Sequence, residues 1–502
     1  MQPRSMYPKI KRMHFKSTRP SSLAAAVLLF SLVNLPVPSG AVAQEKRVST
    51  LEDAKVYREA MVWFKKAEAM IGTPKENSEE QAELFRKAIH IKPDFLEAHY
   101  DLGLIYANQK KMKEAAAEFE EVLKLEPKFD AGIYFLIASA YQELGNANAA
   151  AASLEEGLKR KPKDPKMLRA LAYLQFHGNN DEAALHSLQQ LLEVEPGDVS
   201  SRLDLALLLE RKEEFEDAIR SYQEVLSADG ANYTAHLHLA LIYARQKKPA
   251  EAAAEFEAAN LIRPGNAELL ERLGDLYTMQ RQYDKAAAAY KAALEKTPDQ
   301  GVVFGKLGFS LANLHRTAEA VAALENSARL NPRDPDTFFL LGDLYSDLKR
   351  SDEAIAAYKS SLALDPKQKE VHYNLGTLYA EQSKLAEAMA ELKIAVQLDP
   401  DYAPAWANTA LVSEKLDLDR EAIQAHEKVI ALGKGQAVNY FHLGILYAKT
   451  DQPEPAIAAF ARAIELEPDK YRAVLREELK KIHSVLDSVR YKAAFTRLLA
   501  AP

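Results

Sequence analysis

Histidines and carboxylates are the residues of this sequence that could hold a metal ion or move a proton. His236 and His238 are two positions apart, which places them about 200° apart around a helix, so they cannot share one ion. His426-Glu427 is followed three positions later by Ile430, so the His-Glu-x-x-His spacing of zinc hydrolases is absent. His426 itself falls at an apolar position of a helical pattern, as expected of a packed core residue. These patterns predict neither a metal site nor a cofactor.

Other catalytic signatures are also missing from the sequence. It has no G-x-x-x-x-G-K-[ST] phosphate loop and no G-x-S-x-G nucleophile turn, and "LGKGQ" at 432–436 is an ordinary loop. The chain has no cysteine, which excludes disulfides, thiolate metal ligands and a thiol nucleophile. The sequence therefore predicts a protein that is not an enzyme.

The elements that must position these side chains repeat along the chain with a spacing of 34 residues and one slip. Prolines of the series are Pro93, Pro127, Pro162, Pro196, Pro264, Pro298, Pro332, Pro366, Pro400 and Pro468. A small residue recurs at Gly103, Ala138, Ala172, Ala206, Ala240, Gly274, Gly308, Gly342, Gly376, Ala410 and Gly444. An alanine recurs at Ala115, Ala150, Ala184, Ala218, Ala252, Ala286, Ala320, Ala354, Ala388, Ala422 and Ala456. Three series in phase predict a tandem array of one helix-pair unit.

Each recurring residue type has a physical reason. Small residues such as Gly274 and Ala286 let two helices approach closely, where a larger side chain would separate them. Aromatic residues such as Tyr277 and Tyr290 fill the space between the helices. Pro298 lacks an amide hydrogen and clashes with a preceding helical turn, so it ends the second helix of its unit.

This pattern resembles the tetratricopeptide repeat (TPR) family, whose signature is W-x2-L-G-x2-Y, then A-x3-F, then P. In one unit the matching residues are Leu270, Leu273, Gly274, Tyr277, Ala286, Tyr290 and Pro298. The resemblance implies an all-α, right-handed superhelical solenoid of about twelve TPR helix pairs with a C-terminal capping helix. We expect the array over residues 60–470, a helical lead-in over 44–59 and the capping helix over 471–502.

The first 43 residues have the composition of a secretory signal. Six basic residues and no acidic one precede an apolar run over 23–33, and Ala-Val-Ala at 41–43 is a small-x-small cleavage site. We expect cleavage before Gln44 and an exported, periplasmic or secreted protein of the bacterial type. The alternative is a protein anchored to the membrane by an uncleaved signal. Without this segment 59 basic and 72 acidic residues remain, a charge of −13 that argues against nucleic-acid binding.

In the TPR family the first helix of each pair lines a concave groove, and this resemblance assigns the candidate binding residues. They are aromatic toward the N-terminus, charged in the middle and mixed toward the C-terminus. The set is Tyr100, Phe135, Arg169, Tyr173, Phe176, Arg272, Asp275, Lys306, Phe339, Asp343, Tyr373, Asn374, Asn408 and Phe441. The alternative for each aromatic residue is that it only packs between neighbouring repeats.

The resemblance implies a non-enzymatic scaffold that binds a protein or peptide ligand through a few aromatic and arginine anchors. Two alternatives remain at this point. One is an assembly subunit, peripherally associated with an envelope complex of polysaccharide export or outer-membrane biogenesis. The other is a glycan- or lipid-binding protein that uses the aromatic groove.

Overall fold

The computed structural model describes residues 51–481, whose regular structure consists entirely of α-helices. This part of the chain divides into two compact units, unit 1 ending at Arg263 and unit 2 beginning at Pro264. The helices of unit 1 are α1 (Leu51–Glu68), α2 (Glu79–Ile91), α3 (Leu96–Asn108), α4 (Met112–Leu125), α5 (Gly132–Glu143), α6 (Ala147–Arg160), α7 (Pro165–His177), α8 (Asp181–Val194), α9 (Val199–Arg211), α10 (Phe215–Ala228), α11 (Tyr233–Arg245) and α12 (Pro249–Ile262). Those of unit 2 are α13 (Ala267–Met279), α14 (Tyr283–Lys296), α15 (Gly301–Asn313), α16 (Thr317–Leu330), α17 (Pro335–Asp347), α18 (Ser351–Leu364), α19 (Lys369–Glu381), α20 (Leu385–Leu398), α21 (Ala403–Lys415), α22 (Asp419–Ala431), α23 (Ala437–Lys449), α24 (Pro453–Leu466) and α25 (Pro468–Lys481).

Each odd-numbered helix from α1 to α23 packs against the even-numbered helix that follows it, and within each unit successive pairs also pack together. The first helix of a pair therefore touches its own partner and the neighbouring pairs. This arrangement confirms the all-α stack of helix pairs that the 34-residue spacing predicts.

The short turn inside a pair is built in the same way from the second pair to the twelfth. Between α13 and α14, Arg281 has a φ of 58°, and the amide of Gln282 donates to the carbonyl of Tyr277 at 2.8 Å. A left-handed residue with this hydrogen bond is the Schellman ending of a helix. The left-handed residues are Lys110, Gly145, Asn179, Glu213, Lys247, Arg281, His315, Lys349, Ser383, Asp417 and Asp451. One turn geometry thus fixes the direction of the second helix in eleven pairs.

The two ends of the array differ in detail from the sequence-based boundaries. Helix α1 begins at Leu51, so part of the lead-in expected over 44–59 belongs to the first helix itself. Helix α25 begins at Pro468, three residues before the capping helix expected over 471–502, and Tyr471 and Leu475 pack in the cluster of Phe441 and Phe460. Residues 1–43, which are predicted to be a signal, residues 44–50 and residues 482–502 lie outside the described residues.

Candidate binding surface on the first helices

The sixth residue of the first helix recurs as a polar position in unit 2. It is polar in five of the six pairs, and Leu340 of α17 is the exception. We call these five residues the sixth-position row: Arg272, Lys306, Asn374, Asn408 and His442. A hydrogen bond to a polar side chain of the preceding first helix is formed by Lys306, Asn374, Asn408 and His442. The row therefore follows the stack from one helix pair to the next.

Lys306 is the cationic centre of the row. Its Nζ donates to Oε1 of Glu271 at 2.7 Å and to Oδ2 of Asp275 at 2.8 Å, which joins α15 to α13. The other oxygen of Asp275 accepts the hydroxyl of Tyr290 at 2.7 Å. Burial disfavours the charge on Lys306, but Asp275 and Glu271 outweigh this effect and raise its pKa. Lys306 is therefore a charged and firmly held group, with both carboxylates on α13.

Arg272 lies beside this cluster in the sequence and forms an ion pair within its own helix. Its guanidinium donates to Oε1 of Glu268, one turn earlier, at 2.8 Å. Pairs of this spacing on a helix surface contribute only a few tenths of a kcal/mol.

Asn374 and Asp343 form a second connection between neighbouring first helices. The amide nitrogen of Asn374 donates to Oδ1 of Asp343 at 3.0 Å, and the hydroxyl of Tyr358 donates to the same oxygen at 2.6 Å. Burial raises the pKa of Asp343 to about 6, although both hydrogen bonds act in the opposite direction. Asp343 thus serves mainly to orient Asn374 and Tyr358.

Asn408 repeats the arrangement one helix pair later. Its amide nitrogen donates to Oγ1 of Thr377 at 2.8 Å. Within residues 51–481 the amide oxygens of Asn374 and Asn408 have no hydrogen-bond partner, and both residues are partly exposed. Two equivalent amide oxygens on consecutive first helices, α19 and α21, are therefore available to a ligand.

Three predicted aromatic residues are buried in the packing between helices. Tyr100 is 7% exposed, and its ring lies 6.1 Å from that of Phe119. Phe176 is 9% exposed, and Phe441, at 5%, packs against α24 and α25. These three side chains offer little surface to a ligand, because neighbouring helices already cover them.

The remaining aromatic candidates are only partly buried. Phe135 packs at the edge of a core cluster of unit 1, and the ring of Tyr173 lies 4.3 Å from that of His177. In unit 2, the ring of Phe339 lies 6.3 Å from Tyr358, and Tyr373 meets Tyr402 edge-on at 5.5 Å. Tyr173, Phe339 and Tyr373 therefore keep some surface for contacts with another molecule.

Arg169, the arginine expected to act in unit 1, is held by two acids that precede α9. It donates to Oδ2 of Asp198 at 2.8 Å and also pairs with Glu195. Asp198 is the N-cap of α9, so this ion pair ties α7 to the start of the next first helix. A structural role accounts for these contacts.

Sequence reasoning missed two carboxylates of unit 1 that occupy the same sixth position, Asp101 and Asp204. Burial, reinforced by Glu68 and Glu97, raises the pKa of Asp101 to about 7. Burial and Asp198 raise that of Asp204 to about 6. Aligning the first helices by their 34-residue spacing is the signal that could have found them.

A second missed feature is a repeated histidine–glutamate contact at the fourth position of the first helix. His99, His236 and His372 each place Nδ1 2.6 Å from a glutamate of their partner helix. Their Nε2 atoms lie 2.9 to 3.2 Å from a backbone carbonyl in the preceding turn. These contacts fasten the start of the first helix and explain the histidines structurally.

None of the helices of residues 51–481 is long and apolar enough to cross a bilayer.

The helix pairs and the sixth-position row define a helical-repeat protein whose surface is built from consecutive, equivalent helices. Models described as tetratricopeptide repeat match this chain in seven places. The matches cover residues 76–128, 108–174, 203–260, 243–305, 306–369, 339–403 and 437–470. The chain belongs to the tetratricopeptide repeat family.

Solved structures of similar fold include YrrB, described as a TPR protein with an unusual peptide-binding site. It is 22% identical over 37% of this chain and 95% of its own, with a TM-score of 0.34. The pilF protein of Pseudomonas aeruginosa is 21% identical over 42% of this chain and 96% of its own, at 0.34. Naa15/Naa10 bound to HypK-THB is 15% identical over 89% of this chain and 79% of its own, at 0.39. A search of curated proteins found no match.

Proposed function

We propose that this protein is a non-enzymatic scaffold that binds an extended segment of another protein along the sixth-position row of unit 2. The observation that carries the proposal is the pair Asn374 and Asn408. Each gives its amide N–H to the preceding first helix and keeps its amide oxygen for a ligand. Both side-chain amides are already fixed before binding. Little side-chain entropy is therefore lost when a ligand donates hydrogen bonds to their oxygens.

The spacing of the two acceptors suggests the conformation of the ligand. Packed helices lie about 8 to 10 Å apart, which matches about three residues of an extended chain. In a polyproline II segment every third residue faces the same side, since this helix has three residues per turn. We therefore expect Asn374 and Asn408 to accept backbone N–H groups from ligand residues i and i+3.

A partly exposed aromatic residue beside the row favours a protein ligand further. Tyr373 precedes Asn374 in the chain and offers one edge of its ring beside Tyr402. Aromatic residues of this kind are common anchors in protein interfaces. Lys306 adds a positive charge that the carboxylates of Glu271 and Asp275 more than neutralise, so the row as a whole does not favour a strongly acidic ligand.

The proposal is tested by identifying a partner and then measuring its peptides. Proteins captured by the mature chain are identified by mass spectrometry, and peptides that tile the best candidate are titrated calorimetrically. We expect Asn374→Ala/Asn408→Ala to weaken peptide binding by about 1 to 3 kcal/mol, or about five- to 150-fold in Kd, because two backbone hydrogen bonds are lost.

A matched control is Asn326→Ala on the second helix α16. The amide of Asn326 donates to the carbonyl of Ala322 within the same helix, away from the sixth-position row. This control should leave Kd unchanged. If the folded double variant binds with the Kd of the wild type, the row is not the binding surface.

We further propose that the scaffold works in the bacterial cell envelope after export. The support is the sequence of the first 43 residues, with a basic segment, an apolar run and a small-x-small site in that order. N-terminal sequencing of protein from a periplasmic fraction tests the proposal. A start at Gln44 is expected, whereas an intact Met1 in the cytoplasmic fraction would contradict export.

A further inference from the structure

Glu414, His426 and His442 form a cluster that the proposed peptide surface does not require as a unit. They lie on three successive helices, α21, α22 and α23. Oε1 of Glu414 accepts a hydrogen bond from Nε2 of His426 at 2.7 Å. Its Oε2 accepts one from Nδ1 of His442, also at 2.7 Å. One nitrogen from each ring and a carboxylate oxygen all lie within 4.8 Å of one another. We call these three residues the two-histidine cluster.

The same chain contains a related cluster that lacks one histidine. In unit 1, Glu210 accepts the hydroxyl of Tyr222 at 2.7 Å and Nδ1 of His238 at 2.8 Å. Tyr222 and His426 occupy the same position of the second helix, where other pairs carry tyrosine, phenylalanine or leucine. Packing alone explains a large ring there, but it does not explain a second imidazole directed at the carboxylate.

The exposure of the three side chains suits a small ion that enters from one side. The side chain of His426 is 2% exposed, while those of Glu414 and His442 are 23% and 31% exposed. Burial opposes the charge of Glu414, but hydrogen bonds from the two histidines lower its pKa to about 2. Each oxygen of this carboxylate faces one imidazole ring, so Glu414 is placed to serve as an anionic ligand together with both histidines.

We propose that the two-histidine cluster binds a divalent transition-metal ion of the zinc type. Two imidazole nitrogens and one carboxylate oxygen are a common ligand set for Zn²⁺ when a fourth position stays open. Bonds of about 2.0 to 2.1 Å place tetrahedral ligands about 3.3 Å apart, so the largest gap in the cluster closes by about 1.5 Å. Rotation of the partly exposed Glu414 and His442 side chains supplies this movement. The ion would link the eleventh helix pair to the twelfth.

Asn439 sets the limit on affinity. Its Oδ1 accepts the backbone N–H of Gln436 at 2.8 Å, and its Nδ2 lies 3.4 Å from Nδ1 of His426. A metal on Nε2 leaves the His426 proton on Nδ1, where it would face the Asn439 N–H donors. In Asn439→Asp one carboxylate oxygen can still accept the backbone N–H at the start of α23. The other oxygen can accept a hydrogen bond from the protonated Nδ1 of His426. A carboxylate behind a ligating histidine usually strengthens metal binding.

The experiment titrates Zn²⁺ into the full mature chain, prepared without a polyhistidine tag and freed of metal by a chelator. Calorimetry should show one saturable equivalent, and Co²⁺ should give the visible absorption of a tetrahedral site. His426→Tyr, which copies Tyr222, and His442→Asn, which copies Asn374 and Asn408, should each abolish this equivalent. Asn439→Asp should bind about tenfold more tightly.

His238→Asn in the related cluster of unit 1 is the matched control and should retain the full equivalent. His442→Asn alters a partly exposed side chain, so its melting curve separates loss of the site from loss of the fold. Absence of one saturable Zn²⁺ equivalent in the wild type overturns the proposal. Binding that survives both His426→Tyr and His442→Asn also overturns it, because the ion would then be held elsewhere.

Discussion

Replacing Gly274 by alanine should destabilise unit 2, because the close contact of α13 and α14 depends on a missing side chain. A Cβ at Gly274 would lie 2.5 Å from Cε1 and 2.7 Å from Cδ1 of Tyr290, about 1 Å inside normal carbon contact. Overpacking of this kind costs about 1 to 3 kcal/mol, and the better helix propensity of alanine offsets about 1 kcal/mol.

The ring of Tyr290 has little freedom to move away. It is fully buried, and its hydroxyl donates to Asp275, the residue next to the glycine. In unit 1 an alanine, Ala206, does occupy the position of Gly274 and packs in the cluster of Tyr222. The hydroxyl of Tyr222, however, donates to Glu210. A shift of Tyr290 would break its bond to a carboxylate, worth about 1.5 to 3 kcal/mol, so we expect a net loss of about 2 to 4 kcal/mol.

Urea denaturation followed by far-UV circular dichroism measures this loss. Gly197→Ala is the control, since no heavy atom lies within 4 Å of the new Cβ, and it should change the free energy of unfolding by less than about 0.5 kcal/mol. The double variant Gly274→Ala/Tyr290→Leu copies the pairing of Ala138 with Leu154. The loss in the free energy of unfolding should therefore be smaller for the double variant than the sum of the losses of the two single variants. If Gly274→Ala is as stable as the wild type, the close contact does not limit the packing.

Three further predictions concern charge and processing. Burial lowers the pKa of His99, but the contact with Glu118 raises it, and the net result is a pKa above the usual value. The His99–Glu118 contact therefore stabilises the fold fully below about pH 6.5, the pKa of an unfolded histidine. This stabilisation is lost as the pH rises through the higher pKa of the folded state. His99→Gln should therefore cost more stability at pH 5.5 than at pH 8.5 in urea titrations, and an equal cost would contradict this. Lys306→Met leaves Glu271 and Asp275 without their shared cation and should lower the free energy of unfolding by about 1 to 3 kcal/mol, whereas no loss would show that the ion pair is neutral in effect. Alteration of the small-x-small site, Ala43→Phe, should retain the signal on the exported chain, which mass spectrometry of the envelope fraction would detect as a larger protein.

The helix pairs could be predicted from the sequence because proline, small and alanine positions recur in phase. The beginning of α1 at Leu51 could not, since the first pair has a longer inner connection that disturbs the 34-residue count. Across that connection Gln81 of α2 donates to the carbonyl of Ala67 in α1, and Ser78 caps α2.

The sequence predicted on which helices, and at which positions of these helices, the candidate residues lie. It did not predict which of their side chains are exposed. Tyr100 and Phe441 occupy the fifth position of their helices, as Tyr373 does, yet neighbouring rings bury the first two. The two-histidine cluster was missed for a different reason. Glu414 is 12 residues from His426 and 28 from His442, so only the packing of α21, α22 and α23 brings them together.

The measurement that tests the central claim most directly is the Kd of a partner peptide for the wild-type chain and for Asn374→Ala/Asn408→Ala, with Asn326→Ala as control. We expect a Kd that is weaker by about five- to 150-fold for the double variant alone, measured at a temperature where all three proteins are folded. Equal Kd values for all three proteins would contradict the claim that this protein binds its ligand along the sixth-position row.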